Sequence, residues 1–448
     1  MNPDLRSIIQ KIDDGRLTIG VVGLGYVGLP VACKFAEYGY QVRGVDIDEG
    51  KVNMLNNGVT PLKGNEPGLA ELLKECVDSK KFKATCSYEE ISMADVYTIN
   101  VDTPIDSDRQ PRYEALIAAC RSLSKVMNRG SLVIVESTIS PGTMESIVKP
   151  ILETGTGLRV NEGFFLGHCP ERVMPGKLLD NLVTLSRVCG GFSEETSNTM
   201  VCLYKNIVNA ELHHSDCKTA ELVKTVENAY RDVNIAFANE VANICEKVGA
   251  NVWDVRELVN TSPGRNMLLP GSGVGGHCIP KDPWLLLAGL DEKFSNGLIA
   301  TARLVNDSMP IFVGEAILAF IQNLSLLPSE AKITLLGYTY LEDCDDIRNS
   351  PTETLVRFLN SHNIFPSIHD PYLEEYSEDL DVKLKSADIL VIMVAHSQYK
   401  CLDSSSLMDK DTQRELVIYD TRNALLKKNL SDPNISYKLL GKSTDSEE

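Results

Sequence analysis

The chain has 448 residues, 43% of them hydrophobic and 24% charged, a globular composition that excludes wholesale disorder and has room for about three domains. Lys and Arg number 44 against 62 Asp and Glu, a formal net charge of −18. That acidic balance argues against nucleic acid or an anionic membrane as partner, and leaves any anionic ligand to a local positive site.

In chain order, residues 17–22 are a short apolar run that predicts a strand, and 29–38 has helical spacing. Residues 41–45 predict a second strand, ending at Asp46. Further strand-like runs cover 96–101, 132–135 and 164–168, with helical stretches such as 114–127 between them. This alternation implies a parallel, doubly wound α/β sheet. Ser215 and Asp216 are candidate N-caps, and from 217 to 248 there is no Pro or Gly while apolar residues recur at helical spacing. At 3.6 residues per turn that is a helix of about nine turns, roughly 48 Å long, stopped by Gly249. A helix of this length is expected to act as a spine between domains or subunits. A further helical pattern covers 297–324, and Leu327-Pro328-Ser329 reads as a linker. Strand-helix alternation then resumes, with strands over 332–336, within 387–395 and over 416–419, the last expected, and a helix over 352–361. The polar, acidic tail 442–448 is expected to be disordered.

None of the 12 cysteines is spaced as C-x-x-C. The start of the chain lacks the basic residues and apolar run of a signal peptide, and apolar stretches such as 21–32 fall short of the roughly 20 residues a membrane helix needs. The expectation is a cytoplasmic chain with reduced thiols, no membrane partner and no metal.

Gly23-Leu24-Gly25-Tyr26-Val27-Gly28 follows a predicted strand and opens a predicted helix. Gly23 allows the tight turn, Gly25 lets the backbone approach a pyrophosphate, and Gly28 permits close helix-strand packing. Asp46 stands 18 residues past Gly28, where a carboxylate accepts from both ribose hydroxyls and repels a 2′-phosphate. The combination points to NAD rather than NADP. A glycine-rich turn with no ligand is the plainer alternative.

The second dense site is Gly271-Ser272-Gly273-Val274-Gly275-Gly276-His277-Cys278-Ile279-Pro280-Lys281-Asp282. A Cys in an exposed loop is a nucleophile where neighbouring positive charge lowers its pKa. A buried Cys in a glycine-rich turn is the competing reading. Lys224 and Asn228 lie four apart and share a helix face, which is either a solvated stripe or part of a site.

With these motifs the chain resembles the UDP-glucose/GDP-mannose dehydrogenase family, from about Leu17 to Asn423. The resemblance rests on the glycine loop, Glu136-Ser137-Thr138, Pro170-Glu171-Arg172, Lys224 with Asn228, Gly275-Gly276-His277-Cys278 with Lys281-Asp282, and Asp345-Asp346-Ile347-Arg348-Asn349-Ser350-Pro351. It implies two Rossmann-like domains joined by a long central helix: an NAD-binding domain over 1–214, a helical dimerisation domain with the cysteine loop over 215–326, and a UDP-sugar-binding domain over 327–448. It implies a homodimer, and NAD as cofactor, held by Gly23, Gly25, Tyr26, Val27, Gly28, Asp46, Thr103 and Thr138.

The implied reaction oxidises a sugar CH₂OH to a carboxylate in two hydride transfers, with Cys278 forming a thiohemiacetal and then a thioester. Lys224 and Asn228 would stabilise oxyanions, Asp282 and Thr138 would hold the catalytic water, and Glu171 would be the general base or orient that water. Arg348 would bind the diphosphate, Arg265 would reach the neighbouring subunit's substrate, and Arg172 and Gly275 would line the sugar-nucleotide site. Pro175 stands where UDP-glucose dehydrogenases carry an acid, and Leu341 stands where the family usually has Lys. The first resembles the branch acting on N-acetylated sugars, and Asp282-Pro283-Trp284 resembles its N-acetylmannosamine members. UDP-N-acetylmannosamine is therefore the expected substrate, with the glucose, N-acetylglucosamine and N-acetylgalactosamine nucleotides as alternatives. Two rivals are a single-step hydroxyacid oxidation, which needs no Cys, and a non-catalytic NAD sensor.

Overall fold

Apolar runs bounded by turn residues become the strands of two sheets in the computed structural model, which describes residues 2–62, 64, 66–408 and 414–443. The first sheet contains β1 (Thr18–Val22), β2 (Gln41–Val45), β3 (Phe82–Thr85), β4 (Val96–Ile99), β5 (Leu132–Val135), β6 (Phe165–His168), β7 (Arg187–Gly191) and β8 (Leu212–Asp216). Their order is β3-β2-β1-β4-β5-β6-β7-β8. Both faces are covered, and the two-residue period of the strands shows it. Leu132 and Ile134 of β5 enter one core with Leu29 and Phe35, while Val133 and Val135 enter the other with Ile99 and Leu116. The Gly28–Tyr38 helix packs Leu29, Val31 and Phe35 against the first core and stops at Gly39, whose φ is +119°. Truncating Phe35 to Ala would cost about 3–5 kcal/mol.

One pairing departs from the expected parallel sheet. β6 and β7 are antiparallel, with Gly167 opposite Gly191 and His168 opposite Gly190. The other neighbours are parallel, so β7 and β8 run against the other six strands. The connection carries only the seven-residue helix Leu178–Thr184, about 10 Å long. In the same register Cys169 stands opposite Cys189, their Sγ atoms 4.0 Å apart, and Glu171 opposite Arg187.

The second sheet is parallel throughout: β9 (Ile333–Leu336), β10 (Ser367–His369), β11 (Ile389–Ile392), β12 (Leu416–Asp420) and β13 (Ile435–Leu439), in the order β10-β9-β11-β12-β13. The strand expected to be last, over 416–419, is therefore followed by another. β13 is an edge strand whose residues are only partly buried, so it has no continuous apolar run to betray it.

Cys217–Val248 is one helix of 32 residues, capped by the Asp216 carboxylate, which accepts from the Thr219 amide at 2.9 Å. Gly249 follows at φ +82°. The helix expected over 114–127 ends at Leu123. Of the tail expected to be disordered, Lys442 bridges Asn251 and the Ser443 amide donates to Ala250 O at 3.1 Å, while 444–448 lie outside the described residues. The expectation that no segment is long and apolar enough to cross a membrane also needs correction. The region Lys293–Asn323 meets that test by length and composition, because scattered polar residues interrupt its apolar runs without making it polar on average. Two of them are buried against the Cys217–Val248 helix. Arg303 Nη1 lies 2.5 Å from Asp232 Oδ1, and Asn306 Nδ2 donates to the same oxygen at 2.7 Å.

The described residues form two compact units. One runs to Glu227 and includes Trp284–Gly289; the other comprises Asn228–Pro283 and the residues from Leu290 onward.

Candidate active site

In the first unit the three glycines of the loop have three separate duties. Gly23 has φ +90°, and a Cβ there would meet Asn100 O at 2.8 Å. A Cβ on Gly28 would stand 1.9 Å from Gly23 O, so no side chain fits. Gly25 faces open space, with nothing within 4 Å of its Cβ position. The Gly28–Tyr38 helix begins at Val27 with no side-chain cap, leaving its first N–H groups for an anionic ligand. Tyr26 donates its hydroxyl to Glu66. Asp46, buried at the end of β2, clamps the loop by accepting the Leu24 amide on Oδ2 at 3.0 Å. It also accepts the Asp48 amide on Oδ1 at 3.1 Å, and Lys51 Nζ lies 3.0 Å from Oδ2. An uncapped helix start above an open glycine and a carboxylate at the next strand end fit a dinucleotide. Thr103 is buried beyond β4 and donates to the carbonyl of Thr138 at 2.6 Å, tying two of the expected cofactor residues together.

Glu171 follows β6 and is almost wholly buried, in ion contact with Arg187. Its angles do not make an aligned hydrogen bond with that guanidinium. Burial pushes the Glu171 carboxyl up, opposed by Arg187 and by Lys224. Lys224 is itself buried on the long helix, on the turn that presents it to this carboxylate. Arg172, on the same loop, grips Glu227 with two nitrogens and donates to Ser186 O at 2.5 Å.

In the second unit the cysteine loop is pressed onto the segment after β9. The Gly276 amide donates to Arg348 O at 2.8 Å, and Asn349 Nδ2 returns a bond to Gly276 O at 3.0 Å. A Cβ on Gly275 would stand 2.5 Å from Tyr340 Cβ, and Gly276 has φ +90° under the Tyr340 ring. Only glycine allows that approach. Cys278, exposed on this loop, is close enough to Arg348 and Tyr340 for its charge to be felt by both. Arg348 is held by Asp346, with Nε 2.9 Å from Oδ1 and Nη2 2.6 Å from Oδ2. Asp282 is fully buried, and Asn228 Nδ2 donates to its Oδ2 at 2.5 Å. Lys281 Nζ lies 3.5 Å from Oδ1, which accepts no hydrogen bond. Arg265 is exposed in a turn, its Nη1 donating to Pro263 O at 3.1 Å.

The sequence reading missed several residues here. Arg187 and Lys51 hold the two key carboxylates of the first unit, and Arg422 packs on the cysteine loop. Arg422 stands so close to Gly271 that a Cβ would lie 2.5 Å from its Nη1, and burial lowers its pKa. None sits in a glycine-rich motif, so only the fold reveals them.

These features define a dinucleotide-dependent dehydrogenase. Comparison with known proteins narrows that class. Models of the UDP-glucose/GDP-mannose dehydrogenase family match three times: the NAD binding domain over 17–208, the central domain over 218–308 and the UDP binding domain over 334–427. The chain belongs to the UDP-glucose/GDP-mannose dehydrogenase family. It is 40% identical over 409 residues to the UDP-N-acetyl-D-mannosamine dehydrogenase of Pyrococcus horikoshii, covering 91% of this chain and 96% of the relative. A solved structure of the UDP-D-ManNAc dehydrogenase from Pyrococcus horikoshii superposes with a TM-score of 0.88 at 38% identity, covering 95% of this chain and 99% of that one. The NDP-N-acetyl-D-galactosaminuronic acid dehydrogenase of Methanosarcina mazei Go1 superposes with a TM-score of 0.86 at 34% identity, over 100% of both chains. The protein is an NAD-dependent UDP-sugar dehydrogenase.

Proposed function

We propose that the protein oxidises the C6 hydroxymethyl of UDP-N-acetylmannosamine to the uronic acid, as a cytoplasmic homodimer supplying precursors for polysaccharide or glycoconjugate synthesis. The observation that carries the chemistry is the exposed Cys278, set beside Arg348 on a loop that only glycines can fold. NAD⁺ supplies the hydride acceptor for each of two oxidations. After the first, the Cys278 thiolate adds to the aldehyde carbonyl, forming a C–S bond and an oxyanion. Lys224 and Asn228 donate to that oxyanion. The second oxidation converts the thiohemiacetal to a thioester, which water cleaves to the carboxylate and the free thiolate. Asp282 and Thr138 hold that water, and Glu171 accepts its proton. Asn228 already bonds Asp282, so oxyanion donor and water holder are preset relative to one another. Arg348 meets the diphosphate as a planar fork, and Arg172 and Gly275 border the sugar nucleotide. NAD is held by Gly23, Gly25, Tyr26, Val27, Gly28, Asp46, Thr103 and Thr138.

The domain organisation of the proposal is 1–214, 215–326 and 327–448. Exposed Leu222, Val226, Tyr230, Phe237 and Ile244 on the long helix offer the dimer surface, and Arg265 completes the partner's substrate site. UDP-N-acetylgalactosamine is the second reading, favoured by the likeness to the Methanosarcina enzyme. A panel of UDP-sugars with NAD⁺ decides: the highest kcat/KM is expected with UDP-N-acetylmannosamine, and a preference for another sugar overturns the substrate assignment.

A further inference from the structure

Arg187 begins β7 in the first unit, and its side chain is 2% exposed. A guanidinium this deep must find anions, and it has two. It is in ion contact with Glu171 Oε1, and its Nη1 lies 3.7 Å from Glu136 Oε1. The Glu136 side chain is 0% exposed and that of Glu171 6%. The guanidinium also lies 4.8 Å over the Tyr204 ring, and the Tyr204 hydroxyl donates to Glu136 Oε1 at 2.5 Å. One cation thus serves two buried carboxylates, and only one of them, Glu171, is the candidate base.

The reversal of β7 explains how Arg187 reaches this place. β6 and β7 pair antiparallel with Gly167 opposite Gly191, and the same register sets Arg187 across from Glu171. Were β7 parallel, its first residue would open at the far edge of the sheet, away from the end of β6. The local reversal therefore delivers a positive charge to the carboxylate that follows β6.

We propose that Arg187 is a positioning residue for the dehydrogenation, holding the Glu171 carboxylate in place and ionised while Glu136 competes for the same guanidinium. This rests on the reading of Glu171 as the base. The charged groups facing Glu171 are Arg187 from β7, Lys224 from the long helix, Arg172 from its own loop, and Glu136 from the end of β5. Burial pushes both carboxyls up, each with Arg187 pulling the other way. Glu171 must be ionised to accept a proton, so activity falls as pH drops through its pKa. Loss of Arg187 raises that pKa and moves the acid limb to higher pH. Loss of the Glu136 charge frees Arg187 for Glu171 and moves the limb to lower pH. A side chain that merely fills space moves neither.

The test is the pH dependence of kcat for the full chain with NAD⁺ and UDP-N-acetylmannosamine. Glu171→Gln, which has no carboxyl to titrate, identifies the limb. Arg187→Gln is expected to shift it up by about 1–2 pH units, with kcat at pH values well above the limb and KM for NAD⁺ unchanged. Arg187→Lys, which keeps the charge, should bring the limb back toward wild type. Glu136→Gln should shift it down. If Arg187→Gln does not fold, the Glu136→Gln limb still decides. An Arg187→Gln limb coincident with wild type, or a Glu136→Gln limb that stays or moves up, overturns the proposal. Absence of NADH formation by the wild-type chain with any UDP-sugar would instead reject the dehydrogenase reading on which it rests.

Discussion

Cys278→Ser is the sharpest single substitution for the chemistry. A hydroxyl is a far poorer nucleophile than a thiolate near neutral pH, and its ester would hydrolyse slowly. Net acid formation is expected to be lost, with either no product or a stalled adduct visible by intact mass. Full turnover by this variant would remove Cys278 from the mechanism. A second residue-scale expectation concerns pH. His168 on β6 is wholly buried, its Nδ1 facing Val135 O at 2.8 Å, and burial lowers its pKa to about 4. Its pKa is depressed in the fold, so the unfolded chain binds the proton first. Stability from this group is complete above about pH 6.5 and is lost as pH falls toward 4, a change of about 3 kcal/mol. The urea midpoint of wild type should therefore fall further than that of His168→Phe between pH 7 and 4, and parallel curves would contradict the assignment. The roles of Arg187 and Lys51 were not legible in the sequence. An arginine opposite Glu171 exists only because two strands pair in one register, and a lysine five residues past Asp46 has no motif to mark it. Gly23 and Gly28 are legible because the close backbone around them permits no other residue.

Among the elements, legibility followed apolar patterning. β2 and β5 and the 217–248 helix appear in the fold with the bounds their patterns predict. β5 is a run of four buried aliphatic residues, and the long helix has 32 residues free of Gly and Pro. β3 carries an exposed lysine, β7 reads Arg-Val-Cys-Gly-Gly, and β8 contains two exposed histidines. Edge and glycine-rich strands are held by their neighbours' hydrogen bonds, which no one-dimensional period records. The glycine loop gives a test at this scale. Gly25→Ala has space for its methyl and should fold with an unchanged melting temperature while losing NAD⁺ affinity, because the methyl occupies the approach to the pyrophosphate. Gly28→Ala would force a Cβ to 1.9 Å from Gly23 O and should destabilise the first unit itself. Calorimetry with and without NAD⁺ separates the two, and equal behaviour would contradict the distinct duties. On the long helix, Phe237→Asp places a charge within the exposed apolar stripe. Light scattering at micromolar concentration is expected to show a dimer for wild type and a monomer for the variant. A wild-type monomer with full activity would refute the shared-site proposal.

At the scale of the molecule, the family's three regions account for most of the chain: nucleotide binding, a helical middle with the cysteine loop, and a second parallel sheet. A single two-electron oxidation needs neither Cys278 nor that second sheet. Cofactor choice belongs to the whole reaction, since NAD⁺ is used twice for each sugar in the proposed scheme. Asp46 should make kcat/KM for NADP⁺ well below that for NAD⁺, through repulsion of the 2′-phosphate, although Lys51 beside it offsets part of that charge. An equal or higher value for NADP⁺ would overturn the assignment. The measurement that bears most directly on the four-electron account is the stoichiometry of a limiting UDP-N-acetylmannosamine oxidation run to completion with excess NAD⁺. Two NADH formed for each sugar consumed, with the uronic acid as product, is the predicted result; one NADH with the aldehyde as end product would contradict it.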